Sequence, residues 1–304
     1  MKTLAEEHPE AASSAAGSAA TDGAAANRLR AVTPLGIAAD RLRELAAQLE
    51  QATTSAPTAS GLLEEAIKLV EGFERYTEQC ATPLSPSLQQ LREETLAGVW
   101  NTGDDDTGGD DTGGLDTLES EMLSGAAEAT LLQMLIRITA SRRVLDIGMF
   151  TGFSSLAMAQ ALPVGGAVVA CEANARIAAF AQQRFDRAPG GDRIQVCIGP
   201  AAETLARLRD AGDRFDLAFL DADKPGYAEY YRLLIDGALL RPGGLLLVDN
   251  TLLQGEPYDA RPASAGGDAV RQFNRLVLED DRVEQVLLPL RDGVTLIRRN
   301  GQPC

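Results

Sequence analysis

From residue 143 onward, short apolar runs alternate with longer stretches whose apolar positions recur at helical spacing. The runs RVLDIG, AVVACE, RIQVCIG, FDLAFLDA and GGLLLVDN are nearly continuous in apolar residues, as expected of parallel strands buried on both faces. Between them GFSSLAMAQAL, ARIAAFAQQRFDRA, AAETLARLRDAG and YAEYYRLLIDGALL read as helices, with AEATLLQMLIRITA before the first strand and GDAVRQFNRLVLED after the last. The closing segment VEQVLLPLRDGVTLIRR reads as two strands joined through an Asp-Gly turn. This order predicts an α/β fold with a doubly wound, mainly parallel sheet and an antiparallel hairpin at its edge. Ligands in such sheets bind at the carboxyl ends of the strands, near the topological switch point.

The first part of the chain follows another pattern. Residues 1–28 are rich in Ala, Ser and Gly and are expected to be a disordered tail. Over 29–100 a helical extension is expected. TPLGIAADRLRELAAQLEQA forms its first helix, TTSAPTASG breaks it, and LLEEAIKLVEGFERYTEQC and PSLQQLREETLAGVW form two more. An acidic Asp/Gly loop at 101–117 precedes the main domain, 118–304. Its run NTGDDDTGGDDTGG fits neither an EF-hand nor a glycine-rich calcium repeat, so a solvated loop is the favoured reading.

Composition narrows the chemistry. A net charge of −16 argues against binding to nucleic-acid backbones or anionic membranes. No run of about 18 apolar residues is present, so no transmembrane helix is expected. The acidic start lacks the apolar core of a signal peptide, which makes the cytoplasm the expected location. Cys80, Cys171, Cys197 and Cys304 are widely spaced and read as reduced thiols. The only histidine is His8, in the tail, which leaves His-based hydrolysis or zinc ligation without a residue to use. Of 28 basic residues just three are lysines, Lys2, Lys68 and Lys224.

Two constellations carry candidate chemistry. In VLDIGMFTGFSS, Asp146 ends a strand and Gly148 and Gly152 would let backbone approach a ligand, while Glu172 ends the next strand where a carboxylate can hold both ribose hydroxyls. The spacing is not that of a dinucleotide fingerprint, and an acid in the loop serves a pyrophosphate poorly. S-adenosylmethionine, with its amine and sulfonium, fits better than NAD. An NAD-dependent oxidoreductase and a non-catalytic nucleoside-binding protein remain the alternatives from other classes.

The second constellation lies on FLDADKPGYAEYY and VDNTLLQG. Asp221, Asp249 and Asn250 end neighbouring strands and can converge, and an all-oxygen set suits a hard divalent cation such as magnesium. Lys224 is the leading general-base candidate, because lysine, unlike arginine, can lose its proton near a cation or when desolvated.

Together these motifs resemble the metal-dependent class I O-methyltransferases of the caffeoyl-CoA and catechol type, over roughly residues 60–300. The resemblance implies a Rossmann-like fold with a seven-stranded sheet, S-adenosylmethionine as cofactor, a magnesium-type ion, a small vicinal diol substrate and a homodimer. It implies metal ligation by Asp221, Asp249 and Asn250, with Lys224 and Asp221 catalytic. Its cofactor pocket implies Ser124, Asp146, Gly148, Met149, Phe150, Thr151, Gly152, Ser154, Glu172, Ala173, Ala201 and Asp221. Substrate contacts fall to Lys224 and to Gln254, where plant members carry Asn; Asp146 is Glu in many members. EMLSG, GMFTG, RVEQVLLP and RDGVTLIRR are similar to the O-methyltransferases of mycosporine biosynthesis, which implies methylation of 2-demethyl-4-deoxygadusol to 4-deoxygadusol.

Overall fold

The computed structural model describes residues 33–51, 57–98, 123–260 and 264–301. The tail at 1–28 and the acidic loop at 101–117 lie outside these. Three helices come first: α1 (Pro34–Gln51), α2 (Pro57–Gln79) and α3 (Pro86–Ala97). The α/β part follows as α4 (Ala126–Thr139), β1 (Arg143–Ile147), α5 (Phe153–Ala161), β2 (Ala167–Glu172), α6 (Ala175–Phe185) and β3 (Ile194–Ile198). It continues through α7 (Ala201–Asp210), β4 (Phe215–Leu220), α8 (Tyr227–Ile235), β5 (Leu240–Val248), α9 (Ala265–Leu278), β6 (Val283–Leu288) and β7 (Val294–Arg299).

The strands form a seven-stranded sheet in the order β3-β2-β1-β4-β5-β7-β6. β1 to β5 are parallel, and β7 and β6 complete the edge as an antiparallel pair. This is the Rossmann-like architecture, with a seven-stranded sheet and an antiparallel edge, expected from the sequence. Successive strand residues enter opposite cores, which explains the continuous apolar runs. Val144, Val168, Leu217 and Leu247 pack with α4 and α5, whereas Leu145, Val169, Ala218 and Leu246 pack with Tyr227, Tyr231 and Phe273 of α8 and α9.

Several boundaries differ from expectation. α2 begins at Pro57, inside the stretch expected to break the helices, because proline is well suited to a helix's first turn. α8 stops at Ile235 instead of running to Leu240; Ala238 turns left-handed (φ 54°), and Leu240 joins β5. The third helix of the extension shares the main core: Leu88 and Leu91 of α3 are buried beside α4 and α5. Ser85 caps α3 by accepting from the Leu88 N–H at 3.3 Å, and Pro86 pre-sets its first turn. Arg184 of α6 pairs with Glu94 at 2.8 Å and Thr95 Oγ1 donates to Thr151 Oγ1 at 2.9 Å, tying α3 to the loop after β1.

Candidate active site

The switch point lies between β1 and β4, which run side by side while their following connections leave in opposite directions. Backbone bonds lock the strand ends there in step. Gly148 N donates to Cys171 O (3.2 Å), Asp221 N to Ile147 O (2.9 Å) and Asp249 N to Leu220 O (3.0 Å). The approach is close: a Cβ on Gly148, whose φ is +94°, would lie 1.9 Å from the Asp221 carbonyl oxygen. On Gly152, at φ +91°, a Cβ would meet the Phe185 ring at 2.3 Å. Both positions therefore also require glycine for contacts with neighbouring protein atoms.

On the β1/β2 side, the loop 148–152 curls over the acids. Glu172 accepts from Phe150 N (2.8 Å) and Asn174 N (2.9 Å), and these bonds hold Phe150 in a left-handed conformation of φ 50°. Asp146 is fully buried; its Oδ2 accepts from Ser154 (2.8 Å) and Ser155 (2.5 Å), while its Oδ1 has no partner. Burial pushes Asp146 up to about 7, against the pull of the two serines. Burial likewise raises Glu172. Of the residues expected for the cofactor, Ser124, Gly148, Met149, Phe150, Thr151, Ser154 and Asp221 line one small open cleft, together with Leu123 and Phe153. Ala173 follows Glu172 at the end of β2, and Ala201 begins α7 beyond β3.

On the β4/β5 side, three of the expected residues meet around one atom. Lys224 Nζ donates to Asp221 Oδ1 at 2.9 Å, Asn250 Oδ1 at 2.7 Å and the Tyr227 hydroxyl at 2.7 Å. Tyr227 in turn donates to the Asp249 carbonyl at 3.0 Å, and Asp249 Oδ1 accepts from Asn250 N at 2.7 Å. Burial alone would lower the Lys224 pKa, but the Asp221 carboxylate and Tyr227 outweigh it and hold the ammonium charged. Burial and the Asp221 charge push Asp249 up to about 6, and Lys224 acts in the opposite sense. Burial pushes the Tyr227 phenol up as well, so it stays neutral.

Four participants were not foreseen from sequence. Tyr227 lies three residues after Lys224, at the start of α8, and reads there as an ordinary apolar helix position. Asp292, in the β6–β7 turn, accepts from Gln254 N at 2.7 Å and from Asn250 Nδ2 at 3.5 Å; burial pushes it up to about 7. The charge of Arg291, beside it, reaches Asp249. Glu128, in the first turn of α4, is fully buried, and burial followed by the Asp249 charge raises it well above the usual carboxylate range. Asp223 is spoken for: it caps the 3₁₀ turn Lys224–Gly226 through Gly226 N (3.0 Å) and accepts from Tyr230 at 2.5 Å.

The backbone of this end is strained. Of the seven described residues other than glycine with positive φ, five (Phe150, Asn250, Leu253, Gln254 and Arg291) belong to loops at this end of the sheet. Among the described residues, no group of three or more His, Cys, Asp or Glu side chains is gathered as metal ligands, since the expected set holds two carboxylates and an amide.

Residues 114–300 match the family model described as O-methyltransferase. The chain belongs to that family. It is 32% identical over 239 residues to the caffeoyl-CoA O-methyltransferase of Petroselinum crispum, covering 75% of this chain and 90% of the relative. It is 37% identical over 181 residues to a probable caffeoyl-CoA O-methyltransferase of Dictyostelium discoideum, covering 59% of this chain and 78% of the relative. The S-adenosylhomocysteine-bound methyltransferase PaMTH1 of Podospora anserina superimposes with a TM-score of 0.64 at 26% identity, covering 77% of this O-methyltransferase and 96% of that chain. No helix among the described residues is long and apolar enough to cross a membrane.

Proposed function

We propose that this O-methyltransferase moves the methyl group of S-adenosylmethionine to one oxygen of a vicinal enediol, with 2-demethyl-4-deoxygadusol as acceptor and 4-deoxygadusol as product. The observation that carries the reading is the convergence of Asp221 Oδ1 and Asn250 Oδ1 on a single cationic atom, Lys224 Nζ, at the mouth of the cofactor cleft. Two oxygens already aimed at one positive centre, with Asp249 alongside, make an oxygen set suited to a hard divalent ion. The buried acids support the same conclusion. Burial raises Asp249, Glu128 and Asp292 together, so these acids hold protons that a bound cation would displace.

Asp221, Asp249 and Asn250 would hold the ion. When bound, it supplies a Lewis acid that lowers the pKa of a chelated hydroxyl and fixes its position. The remaining work belongs to this chain's own residues. Asp146 Oδ1, buried and without a partner, would accept from the cofactor's ammonium group, and Glu172 would accept from its ribose hydroxyls. Tyr227 fixes Lys224 from behind. With Asp221 and Asn250 engaged by an ion, the pull that keeps Lys224 charged would weaken; once its own proton has passed to solvent, the neutral amine would orient the acceptor oxygen and take its proton. Gln254, held by Asp292 through its backbone, presents its side chain from the same loop. Transfer then depends on alignment of the oxygen with the sulfonium methyl.

The mycosporine substrate rests on the similarity of EMLSG, GMFTG and RDGVTLIRR to that branch of the family. The relatives' names favour a phenolic acceptor as the second reading. Incubation with S-adenosylmethionine, magnesium and each acceptor in turn separates them. Product with demethyl-deoxygadusol is expected; methylation of catechol or caffeoyl acceptors alone would overturn the substrate and leave the reaction type standing.

A further inference from the structure

Helix α3 lies outside residues 114–300, the segment that matches the family model, yet it is bonded to each element that follows β1 and β2. Ser85, its cap, donates to Gln160 Oε1 of α5 at 2.8 Å, and Gln160 Nε2 donates to Ser87 Oγ at 2.9 Å. Glu94 pairs with Arg184 of α6, and Thr95 meets Thr151 in the loop 148–152. The first contacts are partly exposed, and the apolar packing of Leu88 and Leu91 already fixes the helix on the core.

The Thr95–Thr151 contact differs. Both residues are fully buried, and burying a hydroxyl is costly unless it is paired. Valine has the shape of threonine and would fill the space beside Leu91 as well. What the Thr95 hydroxyl adds is a fixed partner for Thr151: its Oγ1 lies 2.9 Å from Thr151 Oγ1 and 2.8 Å from the Leu91 carbonyl oxygen, so the link is anchored in the helix backbone. Thr151 borders the cleft and sits between two left-handed residues, Phe150 (φ 50°) and Gly152 (φ 91°). Such a loop persists only where its surroundings over-determine it. Here three elements hold three successive residues: Glu172 of β2 accepts from Phe150 N, Thr95 of α3 bonds Thr151, and the Phe185 ring of α6 confines Gly152.

We propose that Thr95 is a positioning residue of the S-adenosylmethionine site, holding the loop 148–152 in its binding shape through the Thr151 hydroxyl. A helix from outside the family-matched segment thereby completes the cofactor site. The proposal rests on the reading of this cleft as that site. Thr95 acts through Thr151.

The test uses the full-length protein and S-adenosylhomocysteine, with affinity measured by calorimetry. Thr95→Val keeps the shape and removes the hydroxyl; it should weaken binding about tenfold. Thr95→Ser keeps the hydroxyl and should stay within about twofold of wild type. In a Thr151→Val background the change at 95 should cost less than about twofold more, because its partner is already gone. Hydrogen exchange on the wild-type protein supplies a measurement that needs no variant. Coupling is reciprocal, so S-adenosylhomocysteine should slow exchange in the loop 148–152 and also in the last turn of α3 around Thr95. Unchanged affinity in Thr95→Val, no rescue by Thr95→Ser, or an undiminished loss in the Thr151→Val background would overturn the role of Thr95. Should Thr95→Val fail to fold, slowed exchange in the loop with none in α3 would overturn it equally. Binding of S-adenosylhomocysteine with no slowing in 148–152 would remove the reading of the cleft itself, and the proposal with it.

Discussion

The two halves of the site solve opposite electrostatic problems. At the β1/β2 end, Asp146 and Glu172 are almost completely engaged by nearby donors: two serines from the following helix, and the N–H groups of Phe150 and Asn174. One oxygen, Asp146 Oδ1, is left over. At the β4/β5 end the acids have fewer donors each: Asp221 accepts from Lys224, Asp249 from Asn250 N, and Asp292 from Gln254 N and Asn250 Nδ2. A site satisfied by its own protein atoms can be rigid and selective for one cofactor. A site whose buried acids are held above their ordinary pKa keeps protons that a cation from outside can replace.

The sharpest way to break this comparison is to remove a carboxylate from the second half alone. Asp249→Ala should cut methyl transfer by about a hundredfold or more, yet leave S-adenosylhomocysteine affinity, measured by calorimetry, within about twofold. Equal loss of cofactor binding would mean that the two halves are one unit.

The contact between the halves is the next target. Gly148→Ala forces a methyl group onto the Asp221 carbonyl and a side chain into a left-handed backbone. A loss of roughly 3 kcal/mol or more is expected, read as a lower midpoint in urea; a neutral result would show that β1 and β4 can part without cost.

Asp146 gives a pH signature confined to the first half. Its raised pKa, about 7, means that the folded protein without ligand holds this proton where the unfolded chain has lost it. Its contribution to stability therefore declines as pH rises from about 4 towards 7. Cofactor binding through the ammonium requires the carboxylate, so S-adenosylhomocysteine affinity should rise up to about tenfold per pH unit below 7 and level off above it. Asp146→Asn should flatten that slope. A slope that survives the substitution belongs to another group.

The smallest expected effect is that of Tyr227→Phe, which removes one acceptor from Lys224 and the donor to the Asp249 carbonyl. A stability loss of about 1–2 kcal/mol and a kcat reduced with KM for the cofactor unchanged are expected. A changed cofactor KM would place Tyr227 in the first half instead.

The same contrast explains what was legible in the sequence. Asp146, Gly148, Ser154 and Glu172 lie within two strand–loop–helix units, so local spacing exposes them. So do Asp221, Lys224, Asp249 and Asn250, because adjacent strands of a parallel sheet bring their ends together. The direction of the glycine constraint was not legible, since local spacing does not show which distant atom, here Asp221 O or the Phe185 ring, fills the space beside a glycine. Glu128 and Asp292 were hidden for another reason. Each looks ordinary in its own segment, a first-turn acid and a hairpin-turn acid, and its raised pKa comes from burial and from charges on other elements. Helix boundaries shifted where proline or a left-handed residue outweighed periodicity, at Pro57 and Ala238.

The central claim is that Asp221, Asp249 and Asn250 form a cation site without which no methyl group is transferred. Methyl transfer from S-adenosylmethionine to 2-demethyl-4-deoxygadusol, followed first in excess EDTA and then during titration with Mg²⁺, tests it directly. Activity should vanish in EDTA and return with Mg²⁺ in the wild-type protein but not in Asp249→Ala. Undiminished turnover in EDTA, or by Asp249→Ala, would contradict the account.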